Sequence, residues 1–447
     1  MSQTAAINAS AHRGKVRWLL VILIFAAAAV SYLDRSNISI AAPLMKKDLG
    51  ISDAQLGAVF SAFVFGYAFT QPLAGRLADR FGPYRITAIG IFWWSVLTSA
   101  TALIPAGYSG ALVSLIAVRF ILGAGESVIF PAGNRLVSAW IPPHERGLAN
   151  GLIFAGVGVG AGIAPPLITS IMLSHSWRWA FHASALIGLV FLAVWLLLVR
   201  EKPANHPMMR KAELDYIENS LPSQTVEPGA KLVPWRTIIF DRQVALLTLS
   251  YFCFGYVAWI FFTWFFTYLS QVRGLDLKSS GLYGTLPFIA MAIASPLGGW
   301  ISDRLCQRTS KRIGRCWPAA IGMAFAAIFV AVAMTVQDAR LAAVVLAAGS
   351  GSLYISQSAF WTLSADLGKA SAGSVSGVMN MGCQLGGATV AAITPLVASQ
   401  FGWSGSFLVA AGAALVGAIG WLFIDPTATL GGRASRRDAV AGAVSAA

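Results

Sequence analysis

Charge is what this sequence has least of. Only 11% of its 447 residues are Asp, Glu, Lys or Arg, and 57% are hydrophobic, whereas roughly 25% of an ordinary soluble protein is charged. The length alone would allow about three soluble domains, but so few charged groups cannot cover their surface, and lipid is the expected solvent. Cysteine is also scarce. Cys253, Cys306, Cys316 and Cys383 lie in or beside apolar segments without a CxxC or Cys/His cluster, so neither a disulfide framework nor a metal site is indicated. No P-loop, nucleophile elbow or HExxH signature is present, which disfavours ATP-driven pumping and membrane hydrolysis. The chain is read as a non-enzyme.

What the sequence has is apolar runs. About 20 apolar residues cross the hydrocarbon core as a helix, and twelve such stretches can be placed, six between residues 18 and 199 and six between 244 and 424. Arg13, Lys15 and Arg17 ahead of the first run resemble a secretory signal, but the run continues to about Ala42 without a convincing cleavage site, so a retained span is expected. The division is a tail over 1–17, a six-helix half over 18–199, a polar loop over 200–243, a second half over 244–424 and a tail over 425–447. Of the 32 Lys and Arg, 24 fall on the side of the two termini and 6 on the other. Basic residues are retained in the cytoplasm, so both termini are expected there, in a bacterial-type inner membrane. The net charge of +14 is thus a topology signal, and no nucleic-acid partner is expected.

The halves repeat. QPLAGRLADRFG at 71–82 and SPLGGWISDRLC at 295–306 match at five of twelve positions with an offset of 224, and Trp177 and Phe181 correspond to Trp403 and Phe407. Parallel repeats about an axis along the membrane normal are one way of building a transporter with substrate bound between the halves. Gly75, Asp79, Arg80, Gly82 and Arg85 carry the loop signature of the major facilitator superfamily, which the chain resembles over nearly its whole length. The second copy keeps Gly299, Asp303 and Arg304 but has Cys306 at the later glycine position. The resemblance implies an all-α integral membrane protein, twelve transmembrane helices in two pseudo-symmetric six-helix bundles, with this motif tuning the inward and outward conformations.

Four acidic or basic residues fall inside the predicted spans: Asp34 and Arg35 on the first, Arg119 and Glu126 on the fourth. Each is costly in hydrocarbon and is expected to face a protein interior or a wetted cavity. Arg119 and Glu126, seven apart, return to nearly one helix face. Salt bridges that only hold the half together are the bland reading, but a well-packed apolar pair often serves stability as well. An arginine fork matches a carboxylate, and burial and a nearby arginine pull a carboxyl's protonation in opposite directions, so the set suits anion binding and proton carriage.

Three segments, YLDRSNISIAAP (32–43), RFILGAGESVIFP (119–131) and WIPPHERGLANG (140–151), resemble the anion:cation symporter family, which includes hexuronate, galactonate, glucarate, tartrate and phthalate carriers. That resemblance implies that Arg35 pairs with a substrate carboxylate, that Asp34 and Glu126 are protonation sites, and that Arg119 interacts with a protonatable acid. Tyr32 and Tyr67 are candidates for the same cavity. The implied function is proton-coupled uptake of a small organic anion by alternating access, with the proton as coupling ion, no cofactor, and a functional monomer in the bilayer. A hexonate, hexuronate or aldarate is the first reading. A phthalate- or tartrate-like acid, a non-transporting sensor and a proton-driven exporter are the alternatives. One charge moved through 100 mV involves about 2.3 kcal/mol, so one proton cancels a monoanion's charge and two make entry electrogenic inward.

No acidic or basic residue is predicted inside spans seven to twelve, so that half is expected to use neutral groups. Ser358 and Trp361 lie three apart on the tenth span, and Asn380 and Gln384 four apart on the eleventh, each pair on one face. The seventh span is crowded with aromatic residues on every face; Tyr256 is the one nominated. An aromatic cavity would tilt the substrate towards phthalate-like acids.

Overall fold

The computed structural model describes residues 14–221, 232–428 and 430, and among these it contains helices and no strand. The outer parts of both expected tails and the middle of the central loop, 222–231, lie outside the described residues. The first six spans are Val16–Leu49, Asp53–Phe81, Pro83–Ala102, a fourth made of Ala111–Glu126 and Ile129–Trp140, Arg146–Ser174 and Trp177–Leu198. The second six begin with Arg242–Thr263, Leu286–Arg308 and Trp317–Ala333. The tenth combines Ala339–Ile355 and Gln357–Gly368. Ala372–Phe423 supplies the last two, divided at Gly402, whose φ of 71° is non-helical.

Helices form here because hydrocarbon offers no partner to backbone N–H and C=O groups. Their ends are set by caps. Ser52 and Gln55 make a reciprocal capping box at the second span, and the Asp241 carboxylate accepts from the amides of Gln243 and Val244 at 2.8 and 3.1 Å. Such caps contribute about 1 kcal/mol each. Several helices outrun the apolar stretches: the first continues to Leu49 rather than Ala42, and the tenth to Gly368 rather than Leu363. Hydropathy marks the length in lipid, whereas helical hydrogen bonding continues into polar residues.

The fourth and tenth spans, equivalent in the repeat, are both interrupted. Pro131 has no N–H to give the Ser127 carbonyl, which accounts for the break directly after Glu126. The tenth breaks at Ser356, directly before Gln357.

Within the first half the first span packs on the fifth, the second on the fourth and the third on the sixth; in the second half the seventh packs on the eleventh and the ninth on the twelfth. The halves meet where the fifth span crosses the eighth and the second crosses the eleventh. Glycine permits both crossings. A Cβ on Gly75 would lie 1.9 Å from the Gly373 carbonyl oxygen, and one on Gly299 would lie 2.1 Å from that of Gly147, so backbones touch there. The polar loop also contributes structure. Its helix Lys211–Ser220 docks under the first span, with Glu213 accepting from the amides of Val16 and Arg17 at 3.3 and 3.2 Å.

Close packing within a half should be equally intolerant of added volume, since overpacking costs about 1–3 kcal/mol. A Cβ on Gly66 would stand 2.1 Å from the Phe120 carbonyl oxygen, whereas Gly162 has nothing within 4 Å. Gly66→Leu is expected to lower the apparent melting temperature of purified protein by several degrees. Gly162→Leu should leave it nearly unchanged in the same thermal scan.

Candidate functional site

The four intramembrane charges converge. Arg35 Nη2 donates to Glu126 Oε1 at 2.9 Å, and the Ser31 hydroxyl donates to the same oxygen. The Arg35 guanidinium carbon lies 4.6 Å from the ring centre of Tyr32, 4.9 Å from that of Phe63 and 4.4 Å from that of Tyr67. Desolvated cation–π contacts contribute about 2 kcal/mol, so these rings hold the guanidinium in place whatever carboxylate it faces. Arg119 stands 4.7 Å from the Phe63 ring, within electrostatic reach of Asp34, Arg35 and Glu126. Asp34 is buried, and neither of its oxygens has a hydrogen-bond partner among the described residues. Leaving a buried polar group unpaired is expensive. Both Asp34 oxygens carry that cost.

A cavity lies between the halves beside this cluster, and Tyr32 forms part of its wall. Fifteen residues line it and eight are aromatic: Tyr32, Phe130, Phe154, Tyr251, Phe254, Trp259, Phe262 and Tyr354. The second half contributes the amides of Gln357, Asn380 and Gln384 to the lining, beside the hydroxyls of Tyr251 and Tyr354. The structure thus brings Tyr32, Asn380 and Gln384 to the cavity, with Arg35 and Tyr67 behind the Tyr32 wall. Trp361 lies against the lining rings, 5.8 Å from Phe130 and 5.1 Å from Phe154 between ring centres, and its indole N–H donates to the Tyr251 hydroxyl at 2.8 Å. Ser358 is fully buried outside the lining. Tyr256 also lies outside it: its backbone packs against Gly386 of the eleventh span, and Tyr251, Phe254 and Trp259 occupy the cavity-facing stripe instead. Sequence reading also missed Gln357, which sits four residues before Trp361; following that helix face backwards would have reached it.

On the side of the chain termini the cavity is closed by two matching bridges. The Asp79 carboxylate accepts from the amides of Gly373 and Ser374 at 2.9 and 2.7 Å and from the Ser374 hydroxyl at 2.6 Å. Asp303 accepts from the amides of Gly147 and Leu148 at 3.1 and 2.8 Å. Each acid thereby caps a helix of the opposite half, where the helix dipole favours negative charge. Arg315 pairs with Asp303 at 2.6 Å, Arg135 with Asp79 at 3.6 Å, and Arg146 with Asp366 at 2.5 Å across the halves. The sequence reading did not nominate these partners, although Arg146 lies inside the WIPPHERGLANG segment. Gly82, at φ 97°, turns the chain from the second span into the third, a conformation glycine adopts without strain. At the equivalent Cys306 the helix instead runs on to Arg308. Arg80 stacks on Phe81 and Arg304 on Trp300 at 5.2 and 5.8 Å, while Arg85 is exposed.

The family model described as the Major Facilitator Superfamily matches residues 24–391 and 305–446. Among curated proteins, the chain is 31% identical over 420 residues to the "Probable sulfoacetate transporter SauU" of Cupriavidus necator, covering 94% of this chain and 96% of that one. It is 30% identical over 430 residues to the "D-galactonate transporter" of Escherichia coli O6:H1, covering 94% and 97%, and 29% identical over 413 residues to the "Hexuronate transporter" of Bacillus subtilis, covering 91% and 94%. Among solved structures, the proton:xylose symporter XylE bound to 6-bromo-6-deoxy-D-glucose superposes with a TM-score of 0.74 at 16% identity, over 93% of this chain and 98% of that one. FucP in its outward conformation gives 0.66 at 19%, over 92% and 99%. The last two establish the shared fold.

If the carboxylate bridges hold the terminal side shut, Asp79→Ala combined with Asp303→Ala should open it. Electron–electron double resonance between spin labels on the second–third and tenth–eleventh loops is expected to shift to longer distances. An unchanged distribution would mean that the glycine crossings suffice for closure.

Proposed function

Because the chain belongs to the major facilitator superfamily, a family of multi-pass membrane transporters and not of enzymes, we propose that it takes up a small organic anion together with protons by alternating access. The observation that carries this reading is the Arg35–Glu126 ion pair beside the central cavity. Arg35 is the cluster's anion-binding fork, and Glu126 occupies it. Protonation of Glu126 releases the guanidinium to a substrate carboxylate, while the Tyr32, Phe63 and Tyr67 rings keep it in position. Asp34, without hydrogen bonds among the described residues, supplies a second proton site. Its protonation removes a buried charge that nothing nearby directly satisfies. Arg119 lies within electrostatic reach of both acids and stabilises whichever is ionised.

The excess of basic residues on the terminal side supports placing that side in the cytoplasm. Closure by the Asp79 and Asp303 bridges then corresponds to an outward-facing arrangement, the state that receives substrate for uptake. The cargoes named for the galactonate and hexuronate relatives favour a sugar acid, whose hydroxyls would meet Gln357, Asn380 and Gln384. The eight aromatic residues of the lining favour a second reading, a small aromatic carboxylate. Competition between D-galactonate and benzoate for binding separates the two.

In proteoliposomes, Asp34→Asn is expected to lose accumulation driven by a pH gradient while retaining exchange of internal for external substrate. Arg35→Ala should weaken carboxylate binding at least tenfold, because a charge-assisted hydrogen bond is worth about 1.5–3 kcal/mol. Full pH-driven uptake by the first variant, or native affinity in the second, would remove these assignments.

A further inference from the structure

The charge of the cargo can be narrowed from the cavity, given the reading above in which Arg35 receives a carboxylate. We propose that the site selects an anion with a single negative charge, a hydroxylated monocarboxylate, and discriminates against dianions of the same size, with Gln357 as the residue that sets this preference.

None of the fifteen lining residues is acidic or basic. The cationic fork lies behind Tyr32 on the first half, and Arg119 is set back against Phe63. A second carboxylate at the far end of an extended six-carbon acid would reach the wall made by the second half, where there is no cation to meet it. Five of the eleven residues of that wall are aromatic, and ring faces repel anions through their quadrupole. An unpaired charge in a desolvated site costs far more than an unpaired hydroxyl.

Gln357 sharpens the discrimination. Its Nε2 donates to the Tyr251 hydroxyl at 2.8 Å, and the Trp361 indole donates to the same oxygen at 2.8 Å. Two donors occupy the Tyr251 oxygen and fix the amide. The Gln357 Oε1 is left buried without a partner among the described residues, on a side chain that lines the cavity. An acceptor held in this way is satisfied by a donor. A sugar-acid hydroxyl provides one, whereas an ionised carboxylate presents only acceptors and adds repulsion. Asn380 and Gln384 complete the wall with neutral amides that can follow the remaining hydroxyls.

D-galactonate and galactarate test this directly, since they share their hydroxylated carbons and differ at one end, hydroxymethyl against carboxylate. Binding is measured by calorimetry on the purified full-length protein at pH 7, where both carboxyls of the diacid are ionised. The native protein is expected to bind the monoacid at least tenfold tighter. Gln357→Arg, which supplies the missing cation, should raise galactarate affinity at least tenfold without a matching gain for galactonate. The native ratio stands as a test even if that variant does not fold. Equal or tighter binding of galactarate to the native protein would overturn the charge selectivity while leaving the carboxylate-carrier reading intact. A folded Gln357→Arg protein without the gain would remove Gln357 from its role. Failure of galactonate, galactarate, benzoate and phthalate all to bind would remove the carrier reading and this inference with it.

Discussion

One ion pair organises the site. Arg35 and Glu126 come from different spans, are joined at 2.9 Å, and are enclosed by rings in a region where unpaired charge is heavily penalised. That environment gives neither partner an inexpensive alternative: if Glu126 gives up its charge, Arg35 needs another anion, and if an anion takes Arg35, Glu126 is left unpaired unless it holds a proton. Coupling between protons and anion in the proposed cycle follows from this exclusivity. The break after Glu126, traceable to Pro131, ends the first helical piece of the fourth span at the carboxylate. Its counterpart in the tenth span places Gln357 at the start of a new helical piece. The two interruptions thus put the acid of one half and the free amide acceptor of the other on either side of the same space.

A second pair of carboxylates acts at the terminal side by a different principle. Asp79 and Asp303 cap helices across the interface and accept from backbone amides as well as arginines. Glycine crossings bring the backbones close enough for this geometry. Separating the halves would expose these carboxylates and helix ends together, so the closed arrangement is held by several hydrogen bonds that break as a set. The site and the closure are linked through the same helices, since the fifth span carries both Gly147 at the interface and Phe154 at the cavity.

Much of this was legible in the sequence because membranes impose simple rules. Twelve apolar runs give twelve spans, and four intramembrane charges stand out because so few are tolerated. Their convergence was inferable from the seven-residue spacing of Arg119 and Glu126 and from the segment around Arg35. The second half was harder to read. Its neutral side chains carry no cost that marks them, so the choice of Tyr256 over Tyr251 or Trp259 depended on a helix face that an aromatic run on all sides conceals. Gln357 was missed for a related reason: its importance lies in an unpaired oxygen created by Tyr251 and Trp361, which is a property of three residues in space. Arg146, Arg135 and Arg315 lie near helix ends, where a basic residue ordinarily reports topology, and their partners are hundreds of positions away or on another span.

The central claim is that Glu126 and the substrate carboxylate compete for Arg35, and it is tested most directly by the pH dependence of D-galactonate binding to native protein and to Glu126→Gln. Substrate can take Arg35 only when Glu126 carries a proton, so binding to native protein takes up a proton, and by linkage affinity should rise as the pH is lowered while the substrate carboxylate stays ionised. Glu126→Gln, which has no such proton to take up, should bind at pH 8 at least as tightly as native protein does, with a much flatter profile. A variant profile as steep as the native one, or weaker binding by Glu126→Gln at every pH, would contradict the account.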